Sequence, residues 1–145
     1  MKIFFDTVAI KTLSKVEVNY WSSNQHEFNG VQSLQRLFGC KYSKLNTCFV
    51  YVGNDTSDMV IDTGYITWYD ARENHPTRTE YRLYYTENRV VYKAKENDLL
   101  LVGITDGKVK VFIIKYGSNS YRNCIDQLRI KGNIDKFMIT DNITL

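Results

Sequence analysis

The feature that most constrains this chain is a pair of apolar segments joined by Asp106-Gly107. The segments DLLLVGIT (98–105) and KVKVFIIKY (108–116) are rich in β-branched and other apolar residues, which suit strands. An Asp-Gly pair between two such segments is typical of a two-residue hairpin turn, because both residues tolerate a left-handed backbone. The sequence therefore predicts an antiparallel hairpin in which 98–105 is a buried strand.

The remaining chain predicts more strands than helices. Apolar residues recur at helical spacing in 30–39, with Asn29 as a candidate N-cap and Gly39 as the stop. The same spacing recurs in 118–130. The predicted strands are 4–13, 46–53, 60–71 (with Gly64 as a bend or bulge), 77–85, 90–94, 98–105, 108–116 and 133–140. Because strands follow one another in runs, we expect a mostly β, α+β fold: an open antiparallel pseudobarrel of six to eight strands with two helices at its ends.

Composition excludes few functions. No apolar run approaches the roughly 20 residues of a membrane span, and Asp6 interrupts the apolar N-terminus, so we expect neither a membrane anchor nor a signal peptide. The three cysteines lack metal-ligand spacing and are expected to be reduced thiols in a cytoplasm. The net charge of +3 does not by itself predict a nucleic-acid partner. Basic residues are nevertheless absent from 46–71 and concentrated on either side of it.

Charged residues alternate in the segment NHPTRTEYR (74–82), after the only proline of the chain. On an extended strand, Arg78, Glu80 and Arg82 would share one face. Arginine can bond bidentately to a guanine edge, and glutamate can accept a hydrogen bond from the cytosine amine. The alternative, favoured about equally, is a solvated strand face with paired charges.

A second polar segment, SSNQHEFNG (22–30), precedes the first predicted helix. Its amide, hydroxyl and carboxylate side chains are of the types that contact bases and phosphates. The alternative is a polar loop whose role is to cap the helix. The candidate base-contacting residues of this segment are Ser23, Asn24, Gln25, His26, Glu27 and Asn29.

Catalytic chemistry has weaker support. Neither His26 nor His75 has neighbours at metal-ligand spacing or forms a recognisable nucleophile motif. A metal-dependent nuclease could be built on Asp98, Asp106 and Lys108, but the hairpin turn already explains Asp106-Gly107.

Together, the segments LSKVEVNYWSSNQHEFNGVQSLQRLFG (13–39) and YITWYDARENHPTRTEYR (65–82) resemble the N-terminal effector-DNA-binding domain of EcoRII-type restriction endonucleases. That domain is a pseudobarrel related to the plant B-three domain. The resemblance implies two arms that grip the major groove of duplex DNA. The first arm (22–30) would carry His26. The second arm (74–82) would contact bases through His75, Thr77, Arg78, Glu80 and Arg82.

The resemblance also implies a target, 5′-CC(A/T)GG, and a place in a larger protein. We expect residues 1–145 to be one monomeric, bacterial, cytoplasmic domain without catalytic residues or cofactor, linked covalently to a magnesium-dependent nuclease domain. The weaker phosphate-contact candidates are Lys11, Lys15, Arg72 and Lys93. The alternatives are a nuclease in its own right and a protein-interaction barrel without a nucleic-acid role.

Overall fold

Alternating apolar residues build one curled, open sheet of eight strands in the computed structural model, which describes residues 2–19 and 26–145. The order across the sheet is β2-β5-β4-β3-β7-β6-β1-β8. The strands are β1 (Phe4–Thr12), β2 (Glu27–Phe28), β3 (Ser43–Val52), β4 (Met59–Asp70), β5 (Tyr81–Tyr85), β6 (Leu99–Thr105), β7 (Lys108–Ile114) and β8 (Met138–Thr144). The expected mostly β pseudobarrel is confirmed.

Short helices fill the connections between strands. Within the described ranges these are α1 (Lys15–Val18), α2 (Gln35–Phe38), α3 (Arg89–Lys93) and α4 (Asn119–Leu128), with 3-10 turns at Gln32–Leu34 and Thr56–Asp58. Helix α4 is where the apolar spacing predicted it, and the Ser118 hydroxyl caps it by accepting a hydrogen bond from the Tyr121 amide. Four helices are therefore present where two were expected.

The Asp106-Gly107 hairpin is confirmed. Strands β6 and β7 pair antiparallel up to Thr105 and Lys108, so the turn has two residues. Both of these residues have positive φ, 52° and 72°, as a turn that matches the twist of the strands requires.

One strand pair departs from the antiparallel expectation. Strands β3 and β7 run parallel, from Thr47 beside Val109 to Val52 beside Ile114. Parallel neighbours need a long connection, and the chain from 53 to 107 supplies it with β4, β5, α3 and β6.

The two faces of the sheet have separate apolar cores. In β3, Phe49 and Tyr51 belong to the core on one face of the sheet, called the inner core here. Val50 and Val52 belong to the core on the opposite face, called the outer core. The outer core lies against α4, whose Cys124 is buried in it. It draws on β1, β3, β6 and β7, so the outer sides of β4 and β5 lie beyond it.

The predicted strand at 90–94 is wrong, because this segment is helix α3. The Asn88 side chain accepts hydrogen bonds from the Val90 and Val91 amides at 3.0 and 2.9 Å, which fixes a helical N-terminus. Both valines are buried in the inner core. Capping and burial therefore outweigh the strand preference of β-branched residues.

Two local expectations near the first predicted helix and in β4 are also wrong. The helix is a 3-10 turn followed by α2, and Val31, not Asn29, stands at the N-cap without a side-chain bond.

Gly64 forms no bulge, since β3 and β4 pair one to one from Ser43 to Val52. A side chain at Gly64 would instead overlap the Thr86 hydroxyl.

Candidate nucleic-acid interface

The base of the first arm is anchored by a buried ion pair. Lys11 on β1 donates to both carboxylate oxygens of Glu17 at 2.8 Å and to the Asn29 carbonyl at 3.0 Å. Glu17 also accepts from the Ser14 amide and hydroxyl, which completes the capping box of α1. The Asn29 amide donates to the same carboxylate at 2.9 Å. One carboxylate thus links the helix before the arm to the last part of the arm.

This geometry corrects the expected role of Lys11. Its side chain is only 2% exposed, and its ammonium is fully occupied by Glu17 and Asn29. A buried, paired ammonium cannot reach a phosphate on the surface. Lys11 is therefore an anchor of the arm and not a phosphate contact.

The described part of the first arm forms an edge strand. Glu27 and Phe28 make β2, which pairs with Tyr84 and Leu83 of β5. Phe28 is buried in the inner core, so it fixes this end of the arm to the sheet. Asn29 has an exposed side chain. The candidates Ser23, Asn24 and Gln25 lie outside the described residues.

His26 lies where this edge strand begins. Its carbonyl accepts from the Tyr85 amide at 2.9 Å, and its ring lies 5.7 Å from the Tyr85 ring. The residue has a positive φ of 46°, in the left-handed region that few non-glycine residues occupy. Backbone pairing and ring contact thus fix the position of this imidazole at the end of the sheet.

The second arm is a turn, which corrects the expectation of one extended strand. Strand β5 begins only at Tyr81, so Arg78 and Glu80 precede it. The Asp70 carboxylate accepts from the amides of Arg72 at 2.9 Å and Glu80 at 2.7 Å, and so closes the turn from inside. Arg78, Glu80 and Arg82 therefore do not alternate on one strand face.

His75 shapes the tip of this turn. Its Nδ1 atom accepts from the Thr77 amide at 3.2 Å and the Arg78 amide at 3.0 Å. Because Nδ1 accepts these two bonds, Nε2 is the ring nitrogen that is left to donate. The exposed imidazole thus offers one N–H donor to a ligand while it orients the backbone of Arg78.

The charges of the second arm form one exposed network and one free arginine. Arg82 donates to a Glu80 oxygen from Nη2 at 2.9 Å, and Arg72 lies 3.6 Å from the other oxygen. The bond from Arg82 lowers the pKa of Glu80. Arg78 is exposed and makes no side-chain hydrogen bond or ion pair with any described residue. Paired charges are thus found at Glu80 and Arg82, whereas Arg78 is available to a ligand.

The two arms meet at β2 and β5. Burial raises the pKa of Glu27, with Arg82 opposing that shift and Glu80 adding to it. Arg82 also donates to the Tyr84 hydroxyl at 3.3 Å, and this bond, followed by that to Glu80, raises the pKa of the guanidinium. Carboxylates of both arms therefore share one arginine at one end of the sheet.

The other phosphate candidates are dispersed. Lys15 is exposed on α1, close to the base of the first arm. Lys93 bonds to Asp58 at 3.0 Å and lies over the Tyr51 ring. Asp58 directly precedes β4, whereas the second arm follows that strand, so Lys93 lies at the far end of β4 from the arms.

Residues that the sequence analysis missed lie on the outer side of β4 and β5. The Tyr69 and Tyr84 rings stack with 5.7 Å between centroids, and Lys44 lies 4.6 Å from the centroid of Tyr65. The signal was present in the sequence, since Thr63, Tyr65, Thr67 and Tyr69 occupy every second position of β4. They form a polar and aromatic row that leads away from the second arm.

The nuclease alternative has no assembled centre. Asp98 and Asp106 flank the two ends of β6, about 26 Å apart at the usual strand rise. The Asp98 carboxylate is buried and accepts from the amides of Tyr116 and Lys95. Across 2–19 and 26–145, no group of three or more His, Cys, Asp or Glu side chains is placed to hold a metal ion.

Among the described helices, none is long and apolar enough to cross a membrane.

Comparison with known proteins places the fold but not the family. No family model matches the chain, and no curated protein matches it. The fold is similar to the N-terminal domain of Helicobacter pylori LlaJI.R1, with a TM-score of 0.53 and 15% sequence identity. The similarity covers 94% of this chain and 99% of that domain. At this identity the likeness shows a common fold, so function must be argued from the two arms.

Proposed function

We propose that this chain is a sequence-specific duplex-DNA-binding domain that acts as the effector or targeting domain of a type II restriction endonuclease. The observation that carries the proposal is the proximity of the arms: 43 residues (31–73) separate them in sequence, but the β2–β5 pair joins the first arm to the strand that continues from the second. The described part of the first arm lies beside β5, the strand that the second arm leads into, so the two polar segments can contact the same duplex. The domain would need no cofactor, and cleavage would require a nuclease domain with its magnesium.

The fold supports this assignment at a coarse level. One protein with a similar fold is the N-terminal domain of Helicobacter pylori LlaJI.R1, and this likeness is consistent with a restriction-enzyme N-terminal domain. The resemblance to the EcoRII-type effector domain supplies the finer hypothesis, a 5′-CC(A/T)GG target.

Side-chain chemistry suggests how the arms would divide the work. Arg78 has free donors for a guanine edge, and His75 presents an Nε2–H donor beside it. Glu27 could accept from a cytosine amine, and burial has already removed part of its hydration. Arg82 would bond to DNA only by exchanging or sharing its contacts with Glu80 and Tyr84.

The direct test is binding of the 145-residue chain to labelled duplexes by fluorescence anisotropy, at several salt concentrations. A CC(A/T)GG duplex should bind more tightly than a scrambled duplex of equal length and composition. Selection of bound sites from random duplexes would identify the target without assuming it. If no duplex is enriched and neither probe binds, the chain is not a DNA-binding domain.

A further inference from the structure

The outer face of the sheet has a broad depression where β3, β4 and β7 lie side by side. It has a volume of about 560 Å³. Polar and basic side chains along its walls include Asn46, Thr63, Tyr65, Lys108 and Lys110. It lies outside the two arms and involves none of the residues assigned above to DNA.

The charged side chains that line this depression are all positive. None of the described residues that line it carries a carboxylate. Lys108 and Lys110 make no hydrogen bond or ion pair with any described residue, and Lys44 lies nearby over the Tyr65 ring. Asparagine, threonine and tyrosine add neutral donors. Lysine together with short hydroxyl and amide side chains is the usual set for contacts with DNA phosphates.

The depression continues the outer surface of the second arm. Tyr65 lines it, and Tyr69, four residues later on the same side of β4, stacks on Tyr84 beside Arg82. Four residues of strand span about 13 Å. Across the sheet, Thr63, Cys48 and Lys110 are register partners on adjacent strands, which adds about 10 Å of width.

We propose that this depression binds the phosphodiester backbone of the same duplex DNA that the arms contact, through Lys108 and Lys110 with Lys44 at its border. The proposal rests on the function proposed above. Duplex DNA carries about one negative charge per 1.7 Å of its axis, so a duplex held by the second arm presents many phosphates within 13 Å. A cationic surface without carboxylates complements that ligand, and phosphate contacts there would be independent of sequence.

The test compares Lys108→Gln/Lys110→Gln with a matched pair, Lys95→Gln/Lys131→Gln, which removes the same charge from exposed residues outside the arms and the depression. Affinity for target and scrambled duplexes would be measured across a salt series. The slope of log affinity against log salt should become shallower by about 1 for each lysine removed from the depression. Both duplexes should weaken by the same factor, and the matched pair should behave as the parent chain does.

Neutral methylphosphonate linkages, scanned along both flanks of the target, identify the phosphates involved. At one flank they should weaken binding of the parent chain by the factor that the two lysine substitutions cause, and they should cause no further loss in the double variant. If the double variant lowers binding no more than the matched pair does, the depression does not bind DNA, although the arms still can. If discrimination between duplexes changes, the lysines contact bases and the phosphate role is wrong.

Failure of the proposed function has a different signature, since the parent chain itself would then bind no duplex. Thermal unfolding of each variant checks that it folds. Should the double variant fail to fold, Lys108→Gln alone carries the test, because Lys108 is the exposed first residue of β7. Its expected slope change is about 1, and an unchanged slope overturns the proposal.

Discussion

The bases of the two arms use similar ion pairs in opposite surroundings. Lys11 and Glu17 have side chains that are 2% and 0% exposed, whereas Arg82 and Glu80 are 37% and 39% exposed. A buried charge that loses its partner cannot recover its hydration, but an exposed one can. The first arm is therefore fixed by a pair of which neither partner can be removed alone without a large loss of stability. The second is organised by charges that can be rearranged when a ligand arrives.

The largest effect is expected from breaking the buried pair. Lys11→Met leaves the Glu17 carboxylate buried without its cation and should reduce the free energy of unfolding by about 3–5 kcal/mol. Urea denaturation followed by tryptophan fluorescence measures this change. Lys15→Met is the matched control, since Lys15 is exposed on the adjacent helix and its side chain pairs with no described residue. Equal effects of the two substitutions would contradict the anchor.

A double variant separates stability from arm position. Lys11→Met/Glu17→Leu replaces two buried charges by apolar side chains and should recover much of the lost stability. It also removes the acceptor of the Asn29 amide, so the end of the first arm loses its link to α1. We expect the folded double variant to bind target DNA more weakly than the parent. Parental affinity at recovered stability would show that the pair serves the fold alone.

An intermediate effect, on binding and not on folding, is expected from the second arm. Arg78→Ala should weaken target binding by about 1–3 kcal/mol and reduce discrimination against a scrambled duplex, with unchanged unfolding. Arg122→Ala on α4 is the control for loss of one exposed arginine. If Arg78→Ala binds both duplexes as the parent does, Arg78 contacts no base.

Glu80→Gln should have the opposite effect on DNA affinity in the same arm. It removes a carboxylate from a surface that faces phosphates and releases both Arg72 and Arg82. Binding to the scrambled duplex should tighten, because phosphate contacts carry no sequence information. Unchanged scrambled binding would indicate that the Glu80 network lies away from the DNA.

Sequence patterns predicted the parts of the fold that depend on turn residues and on the local spacing of apolar residues. The Asp106-Gly107 turn and helix α4 were found because turn chemistry and apolar spacing decide them. Helix α3 was missed because its VVYK sequence favours a strand, while a single side chain, Asn88, fixes the helix. Local preference fails where one capping bond selects the backbone.

For the candidate site, too, local sequence predicted some features and not others. Lys11 alternates with Ala9 and Leu13, two residues of the inner core, so period-two spacing on β1 already placed it inside. Its partner Glu17, in contrast, depends on how the chain folds back after β1. The second arm was predicted as a strand because its charges alternate, but the Asp70 carboxylate accepts from the Arg72 and Glu80 amides and closes a turn there. The Lys11–Glu17 and Glu80–Asp70 bonds join residues six and ten positions apart, which are not spacings that helix or turn motifs predict.

The smallest effects concern pH and distinguish the two carboxylates that share Arg82. The bond from Arg82 lowers the folded-state pKa of Glu80, so its stabilising contribution is present above the unfolded value of about 4.3 and is lost as pH falls through the lower folded value. Burial raises the folded-state pKa of Glu27, so its ionised form opposes folding near pH 7. That cost disappears as pH falls through the raised value toward about 4.3.

The two glutamines should therefore show opposite trends in urea denaturation from pH 7 to pH 3. Glu27→Gln should be more stable than the parent at pH 7, and this advantage should vanish by about pH 4. Glu80→Gln should be less stable than the parent until the pH falls below about 4, where the difference closes. Glu73→Gln is the matched control, because Glu73 is exposed beside the second arm and forms no ion pair with a described residue. Parallel curves for Glu27→Gln and Glu80→Gln would mean that the two carboxylates do not experience different surroundings, and the junction of the arms at β2 and β5 would lose its electrostatic basis.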